Sequence, residues 1–260
     1  YRRRIEDDGP TAPSVDTLTR LQRAHLRRVP FENLDIPLGR PITLEPAALF
    51  EKIVDRRRGG FCYELNGLFA GLLEALGFAP ALLAARVYGD GGPGPEFDHM
   101  LLLLDLDGPW IADVGFGDSF VDPLPLGPDV QRQDFADYRL RETAEGWTLD
   151  QRQRDSGWEP QYVFTLDTHP PSAFEPMCEY QQTSPQSSFT RKSVCSRLTG
   201  SGRVTFANGR LTVTADGQRE ERPVDDPVEL RALLREHFDV VLDADAPVER
   251  LLRPAVPPPS

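Results

Sequence analysis

Apolar residues recur at three- and four-residue steps from Leu65 through Leu68, Phe69, Leu72 and Leu73 to Leu76, the period of a helix that buries one face. Gly77 is placed to end that helix, and Gly59-Gly60, a poor helix-forming pair, puts its start near Phe61. Ser14 is a cap for an earlier helix in which Val15, Leu18, Leu21 and Leu26 lie towards one side until Val29-Pro30 stops it. Phe31-Glu32-Asn33-Leu34 continues in an irregular turn. A further helix, starting near Thr43 with Pro46 in its first turn, carries Leu49, Phe50, Ile53 and Val54. The chain up to Gly77 therefore reads as helical.

After Gly77 the pattern changes to short β-like runs separated by Gly, Pro and Asp: Ala81 to Tyr88, Met100 to Leu104, Trp110 to Val114, Tyr138 to Glu142, Trp147 to Gln151 and Gln161 to Leu166. These predict an antiparallel sheet or barrel, with Gly89 to Pro95 as a mobile loop. Ser172-Ala173-Phe174-Glu175 has the form of a capping box and predicts a short helix to about Gln182, followed by a polar connection over Ser184 to Ser188. Asn208-Gly209, between Val204 and Phe206 on one side and Leu211 and Val213 on the other, is a hairpin signal. Asp226-Pro227-Val228-Glu229 opens a last helix carrying Leu230, Leu233, Leu234 and Phe238, and the tail from Pro254 to Ser260 is expected to be disordered.

The 41 acidic and 29 basic side chains give a net charge of −12, which argues against a general nucleic-acid or anionic-membrane binder. No apolar run approaches the roughly eighteen residues of a membrane span and no signal-peptide pattern opens the chain, so a cytoplasmic location is expected. Cys62, Cys178 and Cys195 are too few, and odd in number, for a disulfide framework, which fits a reducing compartment. Cys178 and Cys195 read as structural thiols. No two cysteines have metal-ligand spacing and none of the four histidines is grouped with one, so no metal is expected.

Chemistry enters at Cys62, in or next to the first turn of the helix that follows Gly59-Gly60. Unpaired N–H groups and the positive helix end favour a thiolate there, and the glycines would let a substrate carbonyl come close to the backbone. A small buried hydrophobe is the competing reading, just as Arg56-Arg57-Arg58 reads equally as a solvated charge run. A thiol nucleophile needs a base, and the base an orienting acceptor. His99 opens one strand and Asp113 closes the next. With Leu106-Asp107-Gly108 as a three-residue loop, Asp105 faces Pro109, Leu101 faces Asp113, and His99 and Asp113 share a face as diagonal neighbours. A two-residue Asp107-Gly108 turn would put them on opposite faces. Asp98, Asp105, Asp107 and Asp118 compete as the orienter; Asp113 is preferred because a strand would hold it rigidly.

Together, Arg57-Arg58-Gly59-Gly60-Phe61-Cys62-Tyr63-Glu64-Leu65-Asn66, the segment around His99, Asp113-Val114-Gly115-Phe116-Gly117 and Val29-Pro30-Phe31-Glu32-Asn33-Leu34 resemble the arylamine N-acetyltransferases in order and spacing. The resemblance spans Val29 to Pro125 and is weaker beyond, where Ser187-Ser188-Phe189-Thr190 is similar to a segment family members carry. It implies an α+β, papain-like cysteine-nucleophile fold: a helical domain over 1–80, a β-barrel domain over 81–183 and an α/β lid with the disordered tail over 184–260. It implies Cys62 as nucleophile, His99 as base and Asp113 as orienter, with acetyl-CoA as acyl donor and an arylamine, arylhydroxylamine or hydrazine as acceptor in ping-pong order. Phe31, Phe116 and Phe189 would line the substrate cleft, and backbone groups at Gly115 and Gly117 would meet CoA.

Three other readings compete. An amide synthase closing a macrolactam in ansamycin-type biosynthesis would keep the same triad. A papain-like peptidase or transglutaminase-like protein would share the triad logic without the block around Cys62. A non-enzymatic binding module would tolerate loss of Cys62, His99 or Asp113, and all three are present.

Overall fold

The computed structural model describes residues 1–153 and 156–255. Helix α1 (Val15–Arg28) starts where Ser14 Oγ accepts the Thr17 N–H at 3.1 Å and stops at Val29, ahead of Pro30. The next stretch is more regular than an irregular turn: Phe31–Glu32 forms strand β1, and Asp35–Leu38 a single helical turn, α2. Helix α3 (Pro46–Phe50) begins at Pro46, not Thr43, because the Thr43 hydroxyl is spent on the Glu45 N–H. It runs on as a π-helical turn over Glu51–Asp55. Helix α4 (Cys62–Ala75) buries Leu65, Phe69 and Leu73 completely, and Gly77 takes the positive φ of +87° that lets the chain turn away.

The second part is a nine-stranded antiparallel sheet built from β2 (Ala81–Gly89), β3 (Gly92–Pro93), β4 (His99–Asp105), β5 (Pro109–Ala112), β6 (Leu124–Pro125), β7 (Gln131–Arg132), β8 (Asp137–Thr143), β9 (Gly146–Arg152) and β10 (Glu159–His169). Its order is β6-β5-β4-β2-β10-β9-β8-β7, with β3 bonded to β2 beside that path. The segment expected as a loop after Gly89 is thus a tight hairpin, Tyr88 opposite Pro93. The sheet curls round one core in which Leu124 of β6 meets Tyr138 and Leu140 of β8. The unbroken apolar run in β4 has a direct cause. Leu101 faces this inner core, while Met100, Leu102 and Leu104 pack with Leu65 and Phe69 of α4, so both faces are buried.

After β10 the chain does not use the expected capping box. Pro171–Phe174 is a 3-10 turn without a side-chain cap, and α5 (Glu175–Thr183) starts one residue later with Pro176 in its first turn. Ser188–Arg191 makes the short α6, capped by Ser187. A second antiparallel sheet follows, β11 (Val194–Leu198), β12 (Gly202–Ala207), β13 (Arg210–Ala215) and β14 (Gln218–Pro223), with β1 bonded to β11 at its edge. Asn208-Gly209 is the hairpin turn expected, both residues at positive φ (+49° and +75°). Helix α7 (Pro227–Phe238) covers one face of this sheet through Leu230, Leu233, Leu234 and Phe238. Of the proline-rich tail, residues 256–260 lie outside the described residues.

A titratable ring sits inside the helical core. His25 of α1 is fully buried against the edge of Phe69, with its Nδ1 on the Tyr1 hydroxyl, and burial lowers its pKa to about 3. The unfolded chain takes a proton on this ring below about pH 6.5, whereas the fold refuses it. Stability should therefore fall on acidification from about pH 6.5 towards 3, with this group contributing about 1.4 kcal/mol per pH unit. Denaturant midpoints measured from pH 7 to 5 should show a flatter dependence in His25→Gln; an unchanged slope would remove His25 as the cause.

Candidate active site

Cys62 is the first residue of α4 and is buried. Phe61 caps the helix in extended conformation, and the Glu64 carboxylate reaches back to accept the Phe61 N–H at 3.2 Å. The sulfur lies between the two residues that flank His99. It is 4.0 Å from the Asp98 carbonyl, and the backbone at Met100 hydrogen-bonds to it. Its titration departs from the helix-end expectation. Burial pushes the thiol well above its ordinary value; the Met100 backbone bond opposes that, while Asp98 and Asp113 raise it further. Desolvation favours the neutral thiol, and a cation close by would favour the thiolate.

The hairpin between β4 and β5 takes the three-residue loop. Asp105 pairs with Pro109 and Leu102 with Ala112, with Asp107 and Gly108 at positive φ. His99 and Asp113 consequently meet on the inner side, Nε2 to Oδ2 at 2.7 Å. The strand expected to run to Val114 ends at Ala112, so Asp113 stands just past β5 and is held by its side-chain and backbone partners instead of by the strand. Its Oδ1 accepts the Asn66 amide (2.9 Å) and the Gly115 N–H (2.8 Å), its Oδ2 also accepts the Tyr162 hydroxyl (3.2 Å), and its own N–H goes to Gln22 (3.2 Å). The competing carboxylates are engaged elsewhere: Asp118 is exposed and pairs with Arg203, Asp105 bonds to the Gly108 N–H in the turn, and Asp98 accepts from Gln181.

Asn66 and Tyr162 were not singled out from sequence. Asn66 carries a readable signal, being one helical turn after Cys62 on the same face. It also donates to the Met100 carbonyl (2.6 Å) and accepts the Val114 N–H (2.9 Å), tying α4 to both strands of the hairpin. Tyr162, on β10, carries none; only the curl of the sheet brings it within 5.1 Å of the His99 ring.

Arg56-Arg57-Arg58 is only partly a solvated run. Arg56 and Arg57 are exposed and meet Asp243 and Asp239, whereas Arg58 is buried. It donates to Glu32 (2.9 Å) and Asp35 (2.9 Å); Lys52 joins Asp35 (2.8 Å) to Glu64 (2.7 Å). Five charges of alternating sign thus run from β1 to the first turn of α4. Gly59 and Gly60 are required by this packing: a Cβ on Gly60 would lie 2.7 Å from Glu64 Oε2, and one on Gly59 would collide with the Pro30 carbonyl. With Glu32 and Asp35 pressing on Arg58, burial alone does not discharge it; its pKa is held above the ordinary guanidinium value.

Phe31, Phe61 and Phe189 form one aromatic group, Phe189 lying 6.3 Å from Phe31 and 5.6 Å, edge-on, from Phe61. Phe116 is separate, against His99 and Tyr162 at 5.1 Å each. Gly115 passes so close that a Cβ would be 2.7 Å from Cys62 Cα, and Gly117, at φ +96°, lies under the Phe31 ring. Beyond Phe116 a cleft of about 1000 Å³ separates the two sheets, lined by Asp118, Gln151 and Gln153 on one side and Arg203, Thr205 and Thr214 on the other, and a smaller space at Phe116 adjoins it.

The model of an N-acetyltransferase family matches residues 14–247. The chain belongs to the arylamine N-acetyltransferase family. It is 36% identical to the arylamine N-acetyltransferase of Mycolicibacterium smegmatis over 252 residues, covering 93% of this chain and 91% of the relative. It is 30% identical to proansamycin X synthase of Amycolatopsis mediterranei, covering 90% and 94%. A solved structure of the Mycobacterium marinum arylamine N-acetyltransferase in complex with CoA superposes with a TM-score of 0.86 at 32% identity, covering 92% of this chain and 91% of that one. The α+β architecture expected from the sequence is the fold of this family.

As an acyltransferase of this family, the protein should depend on the amide at position 66. Asn66→Ala removes the bridge between α4 and Asp113 and leaves the Met100 carbonyl and Val114 N–H without that partner, so it should lower kcat/KM on the order of 10²-fold and lower the melting temperature as well, by a loss of about 1–3 kcal/mol; retained activity would show that Asp113 holds its position without it. Arg58→Met leaves Glu32 and Asp35 buried without their shared cation and should cost on the order of 3–5 kcal/mol in denaturant unfolding.

Proposed function

We propose that the protein transfers an acetyl group from acetyl-CoA to an arylamine, arylhydroxylamine or hydrazine, with Cys62 as nucleophile, His99 as general base and Asp113 as the residue that orients the imidazole. The observation that carries this is the sulfur of Cys62 held between Asp98 and Met100, on either side of a histidine whose Nε2 is committed to Asp113. Nδ1 is then the ring nitrogen left to take the thiol proton. The thiolate attacks the thioester carbonyl, the CoA sulfur leaves and is protonated from the imidazolium, and acetyl-Cys62 remains. In the second half-reaction a neutral amine attacks that thioester, its proton passes to His99, and the Cys62 thiolate is released.

The imidazolium supplies the counter-cation that burial of the thiol demands. Aromatic amines are weakly basic and arrive neutral at pH 7, which suits a site edged by Phe31, Phe116 and Phe189. Acetyl-CoA as donor is supported by the CoA complex of the M. marinum relative. We place the acyl donor along the backbone of Gly115 and Gly117, of which Gly115 passes directly against Cys62 and Gly117 against the Phe31 ring. In this reading residues 1–80 bring the nucleophile, 81–183 the base and orienter, and the lid that begins at 184 covers them. A cytoplasmic setting fits three free, buried cysteines and the lack, among the described residues, of a helix long and apolar enough to cross a membrane.

The likeness to proansamycin X synthase favours a second reading, an amide synthase that closes a macrolactam through the same cysteine. Intact-protein mass spectrometry separates the two. Incubation with acetyl-CoA alone should add one acetyl group, absent in Cys62→Ala and discharged by aniline or a hydrazine, and Cys62→Ser should fold but not turn over. A folded protein that gains no acetyl group would shift the assignment to a larger acyl donor.

A further inference from the structure

Asp98 points two ways. Its carbonyl faces the Cys62 sulfur and accepts the Tyr63 hydroxyl (3.3 Å), while its carboxylate Oδ1 accepts the side-chain N–H of Gln181 at 2.6 Å. Gln181, on α5, is 4% exposed. Its Oε1 accepts the hydroxyl of Ser187, which is itself buried and takes the Phe189 N–H at 3.1 Å; the Phe189 carbonyl accepts from Asn33 at 3.0 Å. A continuous hydrogen-bonded relay, buried at Gln181 and Ser187, therefore runs from the residue beside His99 to the turn that presents the Phe189 ring over Phe61, the cap of the nucleophile's helix. Glutamine suits the middle of it: the site needs a donor towards a carboxylate and an acceptor for a hydroxyl in one side chain.

We propose that Gln181 is a positioning residue for the aromatic acceptor, its amide setting where the Phe189 ring stands relative to the nucleophile. This rests on the assignment of Cys62 and His99 made above. The relay acts on acceptors that use the ring and leaves the first half-reaction alone. A purely structural amide would instead affect every substrate alike.

The test compares Gln181→Met with the unaltered protein. Acetylation of Cys62 by acetyl-CoA should stay within about twofold, KM for aniline should rise about three- to tenfold, the worth of one aromatic contact, and kcat/KM for methylhydrazine should be unchanged. Equal losses for both acceptors, or none for either, would overturn the proposal. Ser187→Ala breaks the relay at its other end and should give the same split, which covers a Met variant that fails to fold. In Gln181→Glu two carboxylates share a proton at low pH and repel once both are ionised. The groups facing them are His99 on β4, Cys62 and Tyr63 on α4 and Cys178 on α5. The aniline KM of this variant should therefore climb with pH relative to the unaltered protein, and a constant ratio would count against the relay. Aniline affinity measured in a Cys62→Ala background should weaken by the same factor in Gln181→Met. That readout stands even if no acetyl-cysteine forms, so it separates failure of the relay from failure of the acetyltransfer reading.

Discussion

A carboxylate taken out of water has to be hydrogen-bonded on every side, and the way Asp113 meets that requirement organises the protein. Its two oxygens and its N–H receive or reach groups from α1, α4, β4, β10 and the loop after β5. No one of these elements holds the residue alone. Helix, sheet and loop have to be docked together before the acid is satisfied, so the geometry at His99 is a product of the whole docking rather than of the hairpin that carries both residues.

The same logic applies one layer below. Glu32, Arg58, Asp35, Lys52 and Glu64 alternate in sign, and each removes part of the desolvation penalty of its neighbour. Three carboxylates against two cations leave the end member, Glu64, with a pKa raised to about 7 by burial, opposed chiefly by Lys52. Such a chain is a poor source of stability compared with apolar packing, but it is directional. It links β1, the edge strand of the second sheet, to the turn that holds Cys62, and so makes the seat of the thiol depend on how that sheet is attached.

Burial of Cys62 raises the pKa of the thiol and so favours its protonated form. In the proposed reading the thiol is activated by its geometry beside His99, held in turn by Asp113, rather than by a low intrinsic pKa. The aromatic rings around it divide into two sets: Phe116 packs on His99, and Phe189 on Phe61, the cap of α4. The polar relay through Gln181 connects the second set to Asp98, the residue beside His99.

Local patterns determined much of this in advance. The period of Leu65 to Leu76 with Gly77 defined α4 and placed Cys62 at its start, Ser14 and Asp226 marked helix starts, and Asn208-Gly209 marked a hairpin. Turn length, and with it the face shared by His99 and Asp113, stayed open until the Asp105–Pro109 pairing settled it. Arg58 could not be told from Arg56 and Arg57, because whether a guanidinium is solvated depends on Glu32 and Asp35 arriving from elsewhere. The Ser172 capping box failed because Pro171 starts a 3-10 turn there. Tyr162, Gln181 and the raised pKa of Cys62 had no sequence signal at all. Periodicity and capping are set by residues within one or two turns, so the chain alone determines them; hydrogen-bond partners and desolvation are set by whatever segment lies across the interface, and only the tertiary structure decides that.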